Sequence, residues 1–339
     1  MKIITVCILL LVKLSSIGQT NVKALIDAVL KKTKETSMYS TTVNWDSLQR
    51  EVYIKAGSAK SIRDLKPAFE ALLNGLRDHH GKILDAKTYD YIAWFTDNKN
   101  RRHTDNRTFD TDTWKVVNDT SLQFEYALLK DGIGYLKIVG IGPNVDIEKE
   151  SIKIREAVIS LAGQKANKWI IDLRYNGGGN MHPMMAGIAP LIGNGIAGAI
   201  VNVKNEKLYD WEIKASNFIY GGYQAVTLPD SPTFENHPPI AVLTSRWTVS
   251  SGEIVATSLK GRPHTHFFGE ATGGYTTADG WEVINDEVIL VISTGTYSDR
   301  NGTVYEVNIP VDTDIPFELT SDITKDKCIL AATKWLTRH

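Results

Sequence analysis

The sequence predicts an α/β fold with a mixed sheet, preceded by a small helical domain. Two observations carry this. From Gly132 onward, short apolar runs such as Trp169-Ile170-Ile171 and Ile240-Ala241-Val242-Leu243 alternate with amphipathic stretches of helical spacing. Such alternation builds a mainly parallel or mixed sheet covered by helices. Before residue 85, the apolar residues recur at helical spacing.

The chain has 339 residues, enough for one large domain or two ordinary ones. Apolar content of 42% and charged content of 23% are those of an ordinary globular protein. A net charge of −1 argues against nucleic acid as a partner, because such binders carry a basic excess.

In chain order, Lys2 followed by the apolar run Ile3 to Val12 and by Ser16-Ile17-Gly18 reads as a secretory signal peptide over residues 1–18. The protein is therefore expected to be exported, to the periplasm or the outside. No later segment reaches the ~18 apolar residues of a membrane span. Cleavage after Gly18 would remove Cys7 and leave Cys328 without an internal partner.

Residues 19–84 read as the helical domain. Val22, Leu25, Ile26, Val29 and Leu30 define a first helix, and Trp45, Leu48 and Val52 a second. Ile62, Leu65, Phe69, Leu72, Leu73 and Leu76 define a third, with Pro67 as a kink or restart. Residues 85–130 alternate polar and apolar groups, and read as a strand-rich insert around the polar stretch Asp97 to Asp112. Asn106, Asn118 and Asn301 each open an Asn-x-Thr sequon.

Residues 131–339 form the α/β core. Ile133 to Ile138 is a strand, Asp146 to Leu161 a helix, and Lys168 to Leu173 a buried strand running into Arg174-Tyr175-Asn176-Gly177-Gly178-Gly179. Met181 to Ile192 is a helix that tolerates Pro183 in its first turn. A strand near Ala197 to Val203 and the run Pro239 to Leu243 follow, then a helix from Glu253 to Leu259. Glu287 to Ser293 and Thr303 to Ile309 read as two late strands.

Two turns carry candidate chemistry. Three consecutive glycines after a buried strand make either a tight turn or a backbone whose N–H groups approach a ligand. The Lys-Ser/Thr of a P-loop and the G-x-G-x-x-G pattern are both absent, so an oxyanion hole is the sharper reading. Ser250 stands between a strand and a helix, where the positive helix end favours a developing negative charge. Ser250 with Glu253 also satisfies a capping box, which needs no chemistry. The adjacent His79 and His80 close the helical domain with no further ligand at zinc-like spacing, so no metal and no cofactor are expected.

Asp172-Leu173-Arg174-Tyr175-Asn176-Gly177-Gly178-Gly179, then Ser250-Ser251-Gly252-Glu253, then Gly269-Glu270-Ala271-Thr272-Gly273 resembles the C-terminal processing (tail-specific) serine peptidases. The resemblance spans most of the chain after the signal peptide. It implies a ClpP/crotonase-like ββα core and Ser250 as the nucleophile. Ser251, just inside the helix, would offer its N–H to the oxyanion, together with Gly178 and Gly179.

In one branch of that family a Lys in a Gly-Lys-Gly context serves as base. Here Gly274-Tyr275-Thr276 occupies that region, and no Lys lies between Lys260 and Arg300. The chain is more similar to the His-base branch, which includes tricorn-like and nisin-resistance-like peptidases. Its Asp-x-His-Ser/Thr motif is matched at Asp78 and His80, with Gly81 in place of the hydroxyl residue. The resemblance thus implies His80 as general base, with His264 and His266 as competitors outside any motif. Glu306 matches the family's late acidic residue, and also reads as a solvated strand charge. The stretch between His80 and Gly132 is too short for the PDZ domain of many members.

The sequence therefore predicts an exported serine endopeptidase acting on peptides or protein tails. The alternative is a non-catalytic binder of an apolar ligand, as in interphotoreceptor-retinoid-binding-like domains that share the fold.

Overall fold

A computed structural model describes residues 21–339 apart from residues 98, 100–110, 118, 120, 230, 231, 233, 235, 236 and 321. The expected signal peptide, most of the polar stretch 97–112, and the sequons at Asn106 and Asn118 lie outside the described residues.

Helices α1 (Val22–Thr36), α2 (Trp45–Ala56) and α3 (Lys66–Leu76) open the chain. Asn21 and Asn44 cap the first two, each accepting from a first-turn N–H at 3.1 Å. Pro67 sits in the first turn of α3, where a missing N–H costs no helical hydrogen bond. The apolar faces of the three helices share one core with Ile83, Ile92, Val288, Leu290 and Ile292.

Strands β1 (Lys82–Asp85) and β2 (Tyr91–Trp94), the short helix α4 (Thr111–Val117) and strand β3 (Glu125–Leu129) come next. Then follow β4 (Ile133–Lys137), α5 (Ile147–Gly163), β5 (Lys168–Asp172), α6 (Met181–Ile192), β6 (Gly195–Val201), β7 (Lys207–Lys214) and β8 (Asn217–Tyr220). The remainder is β9 (Ile240–Thr244), α7 (Ser251–Leu259), β10 (Thr265–Gly269), β11 (Thr277–Ile284), β12 (Val288–Asp299), β13 (Thr313–Asp314) and α8 (Lys327–Leu336).

The strands form two sheets. One has the order β2-β1-β12-β6-β7-β8, with β11 also paired to β12, and all its pairings are antiparallel. The other has the order β13-β10-β9-β5-β4-β3 and is parallel except at the edge pair β3–β4. This second sheet is covered on both faces. Trp169, Ile171, Ile240 and Val242 face the main core with α5, α6 and α7, whereas Ile170, Ala241 and Leu243 meet Cys328, Ile329, Ala332 and Leu336 of α8. Burial on both faces is why β5 and β9 read as unbroken apolar runs. Each fully buried Ile contributes about 1.5–3 kcal/mol.

Helix α6 carries Pro190 in its interior. Proline cannot donate to the carbonyl four residues back. The Arg155 guanidinium from α5 donates to that carbonyl, Ala186 O, and also to Gly187 O at 3.1 Å.

One expected strand is absent. Thr303 to Ile309 is a turn and loop, joined to β12 by a bridge from Val304 to Ser298 and by the Tyr305 hydroxyl on Asp299 Oδ2 at 2.8 Å. Asp299 Oδ1 accepts the N–H groups of Asn301 and Thr303 and folds the chain back. Ile309 then bonds to Thr272 through both its N–H and its carbonyl, and so serves the loop beside the candidate site instead of a ladder.

Candidate active site

The end of β5 is braced before it turns. Asp172 is fully buried and accepts from Arg174 Nε at 2.9 Å, Arg174 Nη2 at 2.7 Å and the Tyr135 hydroxyl at 2.9 Å. Burial pushes the Asp172 carboxyl up, but the Arg174 charge and the hydrogen bonds from Arg174 and Tyr135 together hold the group below the usual carboxylate range. Arg174 Nη1 reaches Asp326 at 3.0 Å, and Asp326 in turn caps α8. The Asp-Leu-Arg string is thus an anchor that ties the sheet end to α8.

Asn176 shapes the glycine turn. Its Oδ1 accepts the Gly178 N–H at 3.0 Å, its Nδ2 donates to Ile138 O at 3.2 Å, and its carbonyl accepts Val249 N–H at 3.1 Å. Gly178 has φ 87° and Gly179 φ 101°. A Cβ at Gly178 would stand 2.9 Å from Ser250 Cβ, and one at Gly179 would stand 1.9 Å from Ile141 O. Both positions therefore require glycine, for backbone conformation and for closeness.

Ser250 ends the turn after β9 and caps α7 with φ 53° and ψ −119°. A non-glycine residue at positive φ costs about 1–3 kcal/mol and persists where its surroundings over-determine it. Here the Ser250 N–H donates to Glu253 Oε2 at 2.9 Å. Glu253 is fully buried and also accepts from Thr272 Oγ1, from Gly274 N–H at 2.9 Å and from Tyr275 N–H at 2.8 Å. Burial pushes its carboxyl up to about 7, against the pull of these donors. Glu253 thus fastens the turn at Ser250 to the loop 272–275.

His80 lies in the turn between α3 and β1. Its Nε2 is 3.1 Å from Ser250 Oγ. Its Nδ1 is 3.0 Å from Thr277 Oγ1 and 3.3 Å from Asp279 Oδ1, and Asp279 Oδ2 pairs with Lys82 Nζ at 3.0 Å. Burial, and then the Lys82 charge, hold the imidazole down to about 3, so it is neutral near pH 7. A neutral imidazole can accept a hydroxyl proton at Nε2 when Nδ1 holds the other hydrogen.

A side chain in place of Gly81 would be crowded. A Cβ there would lie 2.8 Å from Leu73 Cδ2 and 3.1 Å from Asp78 Cγ. On the Nδ1 side of His80 the hydroxyl is that of Thr277 on β11, with Ser293 of β12 bonded behind it.

Among the remaining candidates, Ser251 Oγ donates to Gly179 O at 2.6 Å, which sets Gly179 against the first turn of α7. Gly178 does not fit as an oxyanion donor, because its N–H is committed to Asn176. Among the described residues, the N–H groups of Gly179 and Ser251 have no such commitment. Glu306 is exposed at a bend, and among the described residues no hydrogen bond or ion pair joins it to His80 or Ser250. The strand expected around it, Thr303 to Ile309, does not form. His79 Nε2 is 2.8 Å from Gly274 O and braces the loop 272–275. His266 bonds to Thr313 at 2.9 Å near the start of β10, and His264 is exposed just before it. Both lie at the end of the parallel sheet opposite to Ser250.

With this geometry in hand, the sequence pattern of Peptidase family S41 matches residues 132–317, more than half of the chain. The chain belongs to peptidase family S41. The matched span includes the glycine turn, Ser250 and Glu253 of this S41 chain, whereas His80 precedes it. The nisin-resistance protein of Lactococcus lactis subsp. lactis is 33% identical over 156 residues, 46% of this chain and 48% of that protein. The chloroplastic carboxyl-terminal-processing peptidase 2 of Arabidopsis thaliana is 26% identical over 193 residues, 56% of this chain and 33% of that protein. The matches thus span less than half the length of these curated relatives. The solved structure of a lipoprotein from Streptococcus agalactiae has the same fold, with a TM-score of 0.66 at 22% identity over 99% of both chains.

Sequence reasoning missed Thr277, Asp279, Ser293 and Lys82. Thr277 and Asp279 sit close together on β11, where the register against β12 shifts between Ala278 and Asp279. Polar residues two apart at the start of a strand were the available signal, since such residues tend to share a face.

Proposed function

We propose that this chain is an exported serine endopeptidase that cleaves peptides or protein tails through an acyl-enzyme. The observation that carries the reading is the 3.1 Å separation of Ser250 Oγ and His80 Nε2 on an S41 chain. Ser250 Oγ attacks the scissile carbonyl carbon while His80 Nε2 takes its proton. The Ser251 and Gly179 N–H groups, at the positive end of α7, receive the oxyanion. His80 then gives its proton to the departing amine. Water attacks the resulting ester with His80 again as base, which frees Ser250. A binder of apolar ligands has no use for a strained serine in contact with a neutral imidazole, so the pair favours the enzyme.

The test is mass spectrometry of a mixed peptide pool incubated with the protein beside Ser250→Ala and His80→Ala. Cleavage by wild type and by neither variant is expected. Turnover retained in Ser250→Ala would refute the assignment. Export rests on residues 1–18 of the sequence. Protein recovered outside the cytoplasm is expected to begin at Gln19, and one that keeps Met1 in the cytoplasm would contradict export.

A further inference from the structure

We propose that Asp78 is the positioning carboxylate of the active site, orienting His80 through the hydroxyls of Thr277 and Ser293. The inference rests on the Ser250–His80 reading above. It concerns which nitrogen of His80 carries its hydrogen.

The four groups form one buried chain. His80 Nδ1 is 3.0 Å from Thr277 Oγ1, Thr277 Oγ1 is 2.9 Å from Ser293 Oγ, and Ser293 Oγ is 2.8 Å from Asp78 Oδ1. Asp78 and Ser293 are fully buried, and Thr277 is 5% exposed. The direction of the chain follows from counting hydrogens. Asp78 Oδ1 also takes the N–H of Gly81 at 3.1 Å and of His80 at 3.3 Å, while Oδ2 takes the Ser293 N–H at 2.8 Å. Burial pushes the Asp78 carboxyl up against the pull of the Ser293 hydrogen bonds, but Oδ1, already facing two N–H donors, has the place of an acceptor and not of a proton carrier. The Ser293 hydroxyl hydrogen therefore points to Asp78. Ser293 Oγ is then left to accept from Thr277, and Thr277 Oγ1 to accept from His80 Nδ1. Each hydroxyl has one hydrogen, so the order cannot reverse at one link alone. The outcome is Nδ1–H and a bare Nε2 facing Ser250 Oγ.

The geometry also explains why Asp78 is two residues before His80 yet does not touch its ring. The turn brings Asp78 under the His80 backbone, and Ser293 on β12 and Thr277 on β11 carry the contact around to Nδ1. Asp279 is the rival orienter, 3.3 Å from Nδ1. Its other oxygen is held by Lys82, which draws its charge away from the ring. Among the described residues, the charged or titratable groups around His80 are Asp78, Asp279, Lys82 and Tyr275, whose ring packs edge-on at 5.3 Å.

The test is ¹⁵N NMR of imidazole-labelled full-length protein, in wild type, Thr277→Val, Thr277→Ser and Asp279→Asn, with thermal unfolding to confirm that each is folded. Wild-type His80 is expected as the Nδ1–H tautomer. Thr277→Val keeps the shape but breaks the chain, and should lose that tautomer. Its kcat should fall about 10²-fold, the scale of a disabled general base, with KM little changed. Thr277→Ser restores the hydroxyl and should recover tautomer and most of kcat. Asp279→Asn should keep the tautomer. An Nε2–H tautomer in wild type, an unchanged tautomer in Thr277→Val, or its loss in Asp279→Asn instead would overturn the proposal. The tautomer is read without turnover. Nδ1–H dependent on Thr277 in a protein that cleaves nothing would uphold the positioning chain while sinking the peptidase reading.

Discussion

Gly178 is packed against Ser250 so tightly that a Cβ on the glycine would stand 2.9 Å from the serine Cβ and 2.9 Å from Val249 O. The glycine turn therefore acts as a backstop for the Ser250 side chain. Gly178→Ala would push Ser250 off its contact with His80. It also places a side chain at φ 87°. The expected result is a loss of about 10²-fold in kcat, the scale of a 1 Å misplacement, with destabilisation of about 1–3 kcal/mol. Peptide turnover and urea unfolding of the same sample check both. Full activity in a folded Gly178→Ala would remove the backstop role.

The pH dependence of cleavage follows from His80. A general base works in its neutral form, so activity rises with pH through its pKa. Burial and the Lys82 charge hold that value down to about 3, well below its ordinary 6.5. The acid limb of kcat/KM assigned to His80 is thus expected far below pH 6.5. Lys82→Met removes a positive charge, which raises the imidazole and moves the limb towards neutral pH. A limb that stays in place, or moves down, would contradict this account of the electrostatics.

Arg174 tests whether the Asp-Leu-Arg string is structural. Its side chain is 4% exposed and joins two buried carboxylates, Asp172 and Asp326. Removing one partner of a buried ion pair leaves an uncompensated charge and costs about 3–5 kcal/mol. Arg174→Met should therefore lose roughly that much stability in urea unfolding, with an unchanged KM in whatever fraction remains folded. A loss of turnover without loss of stability would place Arg174 in the chemistry instead.

The sequence makes the parallel sheet legible because β4, β5 and β9 are covered on both faces and read as apolar runs. Ser250 is legible because strand, turn and helix meet around it, and His80 because it shares a motif with Asp78. The failures have physical causes. Thr303 to Ile309 alternates like a strand, but Asp299 folds it into a turn and Thr272 takes its backbone, two contacts that no local pattern reveals. Glu306 falls outside the site for the same reason. Gly178 is a donor by position, yet its N–H is claimed by the side chain two residues before it. Thr277 and Ser293 reach His80 and Asp78 across 197 and 215 residues, and each looks like an ordinary strand hydroxyl in the sequence.

The central claim is that Ser250 Oγ is a nucleophile activated by His80. Covalent capture reads this most directly. The protein is treated with a fluorophosphonate, which forms a stable ester with an activated serine, and the modified residue is located by peptide mass mapping. The account predicts a single adduct on Ser250 that is strongly slowed in His80→Ala. An adduct on Ser251, or one on Ser250 that forms equally fast without His80, would contradict it.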